Sequence, residues 1–257
     1  MKYTSPRFRL HYLEHYTLLA KADLLRDTLV VVDDRHEVLA LYSYPPERPD
    51  PEATELLGLP FPRVYINLPV QSFIFVPTEV LQEDDREAYR VFLAEDQDGQ
   101  TYTHSLHSFG TTVYYQYDMF LSKKWRHIFP QAGFYADFQT IFHKMQSYIP
   151  FRGEMFGANF RDTGVDLYVF RDDQLCFYHG FEVAGADDLH YFLLSLLNMF
   201  GVKGRIQRCL VSGLPQGHAY LEVLRRYCLR LEFLMPEHTW KTDRADLLPE
   251  IDRLLRY

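Results

Sequence analysis

Two pairs of histidines and several clustered carboxylates are the candidates for a metal site or for acid–base catalysis. His11-Tyr12-Leu13-Glu14-His15 satisfies H-x-x-E-H, which in an inverted zinc-protease arrangement sets two imidazoles on one helical face with the Glu as general base. That chemistry needs a helix and a third ligand. Here the motif sits beside an N-terminal strand, and the residues after it, Tyr16 and Thr17, are not helix formers. His104 and His107 lie in aromatic, strand-like sequence, where residues three apart do not point the same way. Asp33-Asp34 and Asp172-Asp173 stand where hairpin turns place carboxylates.

Other reaction classes lack their signatures. There is no G-x-x-x-x-G-K-[ST] loop, G-x-G-x-x-G or G-x-S-x-G. The three cysteines, Cys176, Cys209 and Cys228, are dispersed, which argues for buried thiols in a reducing compartment over disulfides or a zinc site. Lys plus Arg is 27 against 35 Asp plus Glu, a formal charge of −8, so a basic nucleic-acid face is not expected. The one dense basic stretch, Lys123-Lys124-Trp125-Arg126-His127, reads as the solvated face of a helix. No apolar run reaches the roughly 20 residues that span a bilayer, and the N-terminal residues do not form a signal peptide. The reading is a cytoplasmic protein.

The 257 residues are 47% hydrophobic and 24% charged, with 20 Phe, 19 Tyr and 2 Trp, as expected of a globular chain with a ring-rich core. Strand signals fall at Tyr16 to Ala22, Thr28 to Asp33 and Val38 to Tyr44, followed by a helix at Pro51 to Leu57 and a strand at Val64 to Leu68. The order recurs at Glu154 to Phe160, Val165 to Phe170 and Leu175 to Val183, then a helix at Asp187 to Phe200 and a strand at Ile206 to Val211. This is an internal duplication: a three-stranded meander, a helix, a strand. The Asp187 helix is apolar on nearly every face and is expected to be buried. A helix at His218 to Arg230, a short strand at Leu231 to Leu234 and a helical tail from Asp243 follow.

Between the copies, residues 71–148 have no counterpart. They hold a charged helix from Glu83, the turn Asp96-Gln97-Asp98-Gly99, a strand at Thr111 to Tyr117, and helices at Lys123 to Phe129 and Phe138 to Tyr148. The division is therefore 1–149 as a first lobe with this insertion and 150–257 as a second lobe with a C-terminal helix. Tyr89, Phe92, Tyr102, Phe109, Tyr114, Tyr115, Tyr117 and Phe120 make the insertion the first place to look for a binding face.

The duplicated pattern resembles the actin-like ATPase (ribonuclease-H-like) fold, an α/β fold of two lobes. The best-matching stretch, Gly157 to Gly213, is similar to the second half of actin-like pilus-assembly and secretion-platform proteins. Over its whole length the chain resembles an uncharacterised Bacteroidetes family assigned to this fold. The resemblance implies ATP held between lobes by Asp-x-Gly turns. This sequence departs from that pattern, with Ala22 and Leu24 at the Asp and Gly positions of the first half, and Asn159 and Arg161 at those of the second. Asp162-Thr163-Gly164 is displaced by a few residues, and Ser212-Gly213 matches an adenosine-side Gly-Gly in part. Two readings follow. One is a non-catalytic scaffold with no cofactor, binding a protein partner or itself. The other is an ATP- and Mg²⁺-binding, slowly hydrolysing protein using Asn159, Asp162, Thr163, Gly164 and Asp166 on one side with Ser212 and Gly213 on the other.

Overall fold

The computed structural model describes residues 1–81, 86–93, 100–161, 164–234 and 240–251. The expected turn at 96–99, the start of the Glu83 helix and the end of the tail lie outside the described residues. Two compact units emerge: one from the described residues of Met1–Ser105, Thr112–Phe142 and Pro236–Tyr257, the other from those of Leu106–Thr111 and His143–Met235.

In the first unit, β1 (Lys2–Thr4), β2 (Thr17–Lys21), β3 (Asp27–Val32) and β4 (Val38–Tyr44) precede helix α1 (Pro51–Leu57) and β5 (Arg63–Leu68). The run Leu29-Val30-Val31-Val32 is fully buried, as a β-branched strand covered on both faces should be. The β3–β4 turn is built by Asp33, whose Oδ1 accepts from the Arg35 and Glu37 amides at 2.8 Å each. α1 begins with Pro51 at its first position, where the missing N–H costs nothing.

The insertion follows: β6 (Val70–Pro77), α2 (Arg86–Arg90), β7 (Tyr102–Leu106) and β8 (Thr111–Tyr117). β6, β8 and β7 form their own three-stranded sheet. Next come α3 (Met119–Ile128), β9 (Gly133–Ala136) and α4 (Asp137–Met145). β9 adds in parallel to β5, completing the order β1-β4-β3-β2-β5-β9.

The second unit contains β10 (Glu154–Phe160), β11 (Gly164–Arg171), β12 (Gln174–Glu182), α5 (Ala186–Met199), β13 (Ile206–Ser212), α6 (Ala219–Tyr227) and β14 (Cys228–Phe233). Its sheet runs β12-β11-β10-β13-β14. Both sheets thus share one five-strand scheme: an antiparallel meander whose first strand is extended on its other side by two successive parallel strands. The β11–β12 hairpin turns on Asp172 and Asp173, both at positive φ as a type I′ turn requires. Leu189, Leu193, Leu196 and Leu197 of α5 pack with Leu221 and Leu224 of α6 against Phe156, Ala158, Val165, Leu167 and Val169. Each such leucine contributes about 1.5–3 kcal/mol by burial.

Four expectations change. α3 and β9 are the counterparts of α6 and β14, so the segment without a duplicate is the β6–β8 sheet and not the whole of 71–148. The C-terminal segment, expected with the second lobe, belongs to the first unit: Trp240, Leu247 and Ile251 pack on Leu19, Val30 and Leu41, and Lys241 bridges Glu37. α5 is not buried all round, since Tyr191, Leu194 and Met199 are exposed. The basic stretch on α3 is only in part a solvated face, with Lys123 and His127 exposed. Trp125 is fully buried, and Lys124 pairs with buried Asp27.

Among the described residues no helix is long and apolar enough to cross a membrane.

Candidate functional site

The strongest polar constellation lies at one end of the second sheet, built by strand register. Gly180 of β12 pairs with Asp166 of β11, Asp166 with Asn159 of β10, and Asn159 with Ser212 of β13, so four neighbouring strands carry one polar row. Ser212 Oγ donates to Asn159 Oδ1 at 2.8 Å, and Asn159 Nδ2 donates to Asp166 Oδ2 at 3.1 Å. The other carboxylate oxygen, Oδ1, lies 2.9 Å from Nε of Arg161, which follows β10 directly. Tyr178 adds a further hydrogen bond to Asp166.

Electrostatics at this row is set by burial. Asp166 is only 6% exposed. Burial pushes its carboxyl above the usual 3.8, and Arg161, Asn159 and Tyr178 pull it back in part. Gly180 matters because a side chain there would meet Arg161 Nη2 and Asp166 Oδ1, each at 2.9 Å. The missing Cβ leaves the space that the guanidinium fills. Neither Gly180 nor the role of Arg161 as a partner of Asp166 was legible beforehand. The only available signal was an arginine where the actin-like pattern has glycine.

Of the site residues expected from sequence, Asn159, Asp166 and Ser212 come together in this network. Asp162 and Thr163 lie outside the described residues. Gly164 and Gly213 have backbone reasons for being glycine. A Cβ at Gly164 would fall 2.2 Å from the Phe181 carbonyl oxygen, and one at Gly213 2.0 Å from that of Phe160, with Gly213 at φ +80°.

The other candidates do not assemble a reactive centre. His11-Tyr12-Leu13-Glu14-His15 forms a short 3-10 helix from Leu10 to His15 with no buried residue, and His15 lies 3.4 Å from Glu14 itself. Among the described residues no three His, Cys, Asp or Glu side chains are grouped to hold a metal ion. Cys209 and Cys228 are buried and in mutual contact, whereas Cys176 is exposed, against the expectation of three buried thiols. Half of the inserted aromatics are core: Phe109, Tyr114, Tyr115 and Tyr117 are buried, Tyr89 and Tyr102 are half-buried, and Phe92 and Phe120 are exposed.

The repeated meander–helix–strand scheme, with a polar row ending one sheet, defines a protein of the actin-like ATPase fold. The chain belongs to the family described as a protein of unknown function, DUF3822, which matches residues 51–230. No curated protein matches it. Two solved structures carry the fold assignment. One is a Bacteroides thetaiotaomicron protein with an actin-like ATPase fold and unknown function, at TM-score 0.68 and 16% identity over 89% of this chain and 93% of that one. The other is the PilM–PilN type IV pilus biogenesis complex, at TM-score 0.58 and 15% identity over 92% of this chain and 94% of that one.

Proposed function

We propose that the protein is a non-catalytic interaction module that keeps the actin-like fold and has closed the phosphate side of its second lobe with its own side chains. The observation that carries this reading is the Arg161–Asp166 ion pair at 2.9 Å. A carboxylate that organises Mg²⁺ needs free oxygens; both oxygens of Asp166 are engaged, one by Arg161 and one by Asn159. Among the described residues, the Asp166 carboxylate is thus committed to a fixed cation and an amide, which disfavours it as a Mg²⁺ ligand. On the first lobe, Leu24 of the β2–β3 turn, 67% exposed, stands where the resemblance calls for a glycine that admits phosphate.

The partner in this reading is another protein chain. Support comes from the fold shared with one component of a pilus biogenesis complex, an analogy of architecture. The three free cysteines support a reducing, cytoplasmic setting. Isothermal titration with millimolar MgATP tests the reading: no saturable heat is expected. Saturable binding that is lost in both Asp166→Asn and Ser212→Ala would overturn it in favour of an ATP-binding protein with a non-standard site.

A further inference from the structure

Charge is spread unevenly along this chain. Residues 189–231 carry six Lys and Arg and one carboxylate, Glu222, so the rest of the chain has 21 Lys and Arg against 34 Asp and Glu. The segment runs from α5 through β13 and α6 into β14. Both helices pack on the same face of the second sheet, so their outer sides form one surface. Arg226 Nη1 of α6 donates to His190 Nε2 of α5 at 3.3 Å, and Tyr227 Oη lies 2.7 Å from His190 Nδ1. The surface is bounded at the start of α5 by Asp187 and by Asp188, whose Oδ2 accepts from the Ala184 and Gly185 amides.

Four of the six cations gather where α6 ends and β13 begins. Arg205 Nη2 donates to the Arg225 carbonyl and, at 2.9 Å, to that of Cys228, which sets Arg205 beside the last turn of α6. Lys203 stands two residues before it, and Arg225 and Arg226 complete the group; all four are exposed. Cations in the last turn of a helix oppose its dipole, but Lys203 and Arg205 belong to no helix. Glu222 pairs with Arg225, and among the described residues Lys203, Arg205 and Arg226 have no carboxylate partner. Arg208 and Arg230 are bound to Glu232 instead. Apolar side chains adjoin the cations. Leu229, next to Cys228, is 56% exposed, and Tyr191 and Leu194 on the outer stripe of α5 are 66% and 47% exposed.

We propose that this surface docks a short acidic segment of another protein, one in which carboxylates alternate with apolar or aromatic side chains. Interfaces between proteins are enriched in Tyr and Arg and depleted in Asp and Glu, the composition found here. Guanidinium forks donate paired hydrogen bonds to carboxylates. A nucleic acid would leave Leu229, Tyr191 and Leu194 unmatched, and the net −8 of the chain opposes adsorption to any extended anionic surface. A short segment meets the cations within a Debye length of about 10 Å and avoids most of that repulsion. The docking surface rests on the interaction-module reading and names the partner's chemistry. It contains no residue of the Asp166 network, so saturable MgATP binding would overturn that reading without altering what an acidic ligand does here.

Fluorescence anisotropy of a labelled Glu–Tyr random copolymer, titrated with the full chain, tests the surface, with poly-glutamate as the ring-free comparison. The copolymer should bind saturably, about 5-fold tighter than poly-glutamate through ring burial, and both should weaken as salt rises. Lys203→Gln with Arg226→Gln should weaken both polymers about 10-fold. Tyr191→Ser with Leu194→Ser should abolish the copolymer's advantage and leave poly-glutamate binding as it was. Arg9→Gln with Lys123→Gln, at exposed cations outside this surface, should bind like wild type. Thermal melts must show each variant folded. If the Arg226 variant does not fold, Lys203→Glu alone replaces it, with the same expectation. No saturable copolymer binding, a folded Lys203 and Arg226 variant that binds like wild type, or tighter binding to phosphatidylglycerol vesicles or duplex DNA than to the copolymer would overturn the proposal.

Discussion

Lys124 Nζ of α3 lies 2.8 Å from Oδ2 of Asp27, whose side chain is 1% exposed at the start of β3. Burial raises the Asp27 carboxyl above its ordinary 3.8, and Lys124 pulls it back in part. The pair ties α3 to the sheet it covers, beside the buried Trp125. Removing the lysine leaves a buried carboxylate without its counter-ion. Breaking a buried pair costs about 3–5 kcal/mol, and the partial exposure of Lys124 reduces this to about 2 kcal/mol for Lys124→Met at pH 7. The sign with pH follows from the raised value. The folded state then holds a proton that the unfolded state has lost, so stability rises as pH falls through the folded value toward 3.8. Urea denaturation of Lys124→Met should show a smaller deficit against wild type at pH 5 than at pH 7.

The Arg161–Asp166 pair should obey the same logic with a different asymmetry. Arg161→Met leaves a buried carboxylate, whereas Asp166→Asn leaves a neutral amide facing a guanidinium that is partly in solvent. Arg161→Met is therefore expected to cost about 2 kcal/mol and Asp166→Asn less, with the double variant recovering part of the Arg161→Met loss. A double-mutant cycle by chemical denaturation measures the coupling. Additive single losses would mean that the pair is not what holds Arg161 in place.

Many of the strands were legible because their signals are local. β10 occupies the expected residues Glu154 to Phe160, and β8 the expected Thr111 to Tyr117. Alternation and β-branched runs declare such strands without reference to neighbours. What could not be read depends on which strand lies beside which. Asp166, Gly180, Asn159 and Ser212 form a row only through sheet register, and nothing within a few residues of any one of them announces the other three. The same holds for Lys124, which looks solvated until α3 is placed against Asp27. It holds again for Trp240 and Leu247, whose apolar character says that they are buried but not in which core.

Gly213 separates a structural role from a nucleotide role. Its φ of +80° and the 2.0 Å approach of a Cβ to the Phe160 carbonyl oxygen are backbone constraints at the shared end of β10 and β13. Gly213→Ala should therefore cost about 3 kcal/mol from positive-φ strain and overlap together. The loss should be the same with and without MgATP. A melting temperature that nucleotide raises in wild type but not in Gly213→Ala would instead assign the glycine to ligand binding.

Gly157 and Tyr168 face each other across the β10–β11 pair, and the tyrosine ring covers the glycine. A Cβ at Gly157 would lie 1.8 Å from Cε2 of that ring. The ring cannot swing clear, because Tyr168 is fully buried between Phe170 and Tyr178, with centroids at 6.2 and 6.5 Å. Gly157→Ala should accordingly cost about 3 kcal/mol, the upper part of the range for overpacking. The hydroxyl of Tyr168 behaves in the opposite way. Buried without a hydrogen-bond partner among the described residues, it gains nothing from its polarity. Tyr168→Phe keeps the ring and removes an unsatisfied group, so it should be neutral or stabilise by about 1 kcal/mol. Combining Gly157→Ala with Tyr168→Leu, which clears the space above the new methyl, should recover part of the loss. Equilibrium unfolding of the three variants reads these outcomes. A destabilised Tyr168→Phe would mean that the hydroxyl is hydrogen-bonded after all.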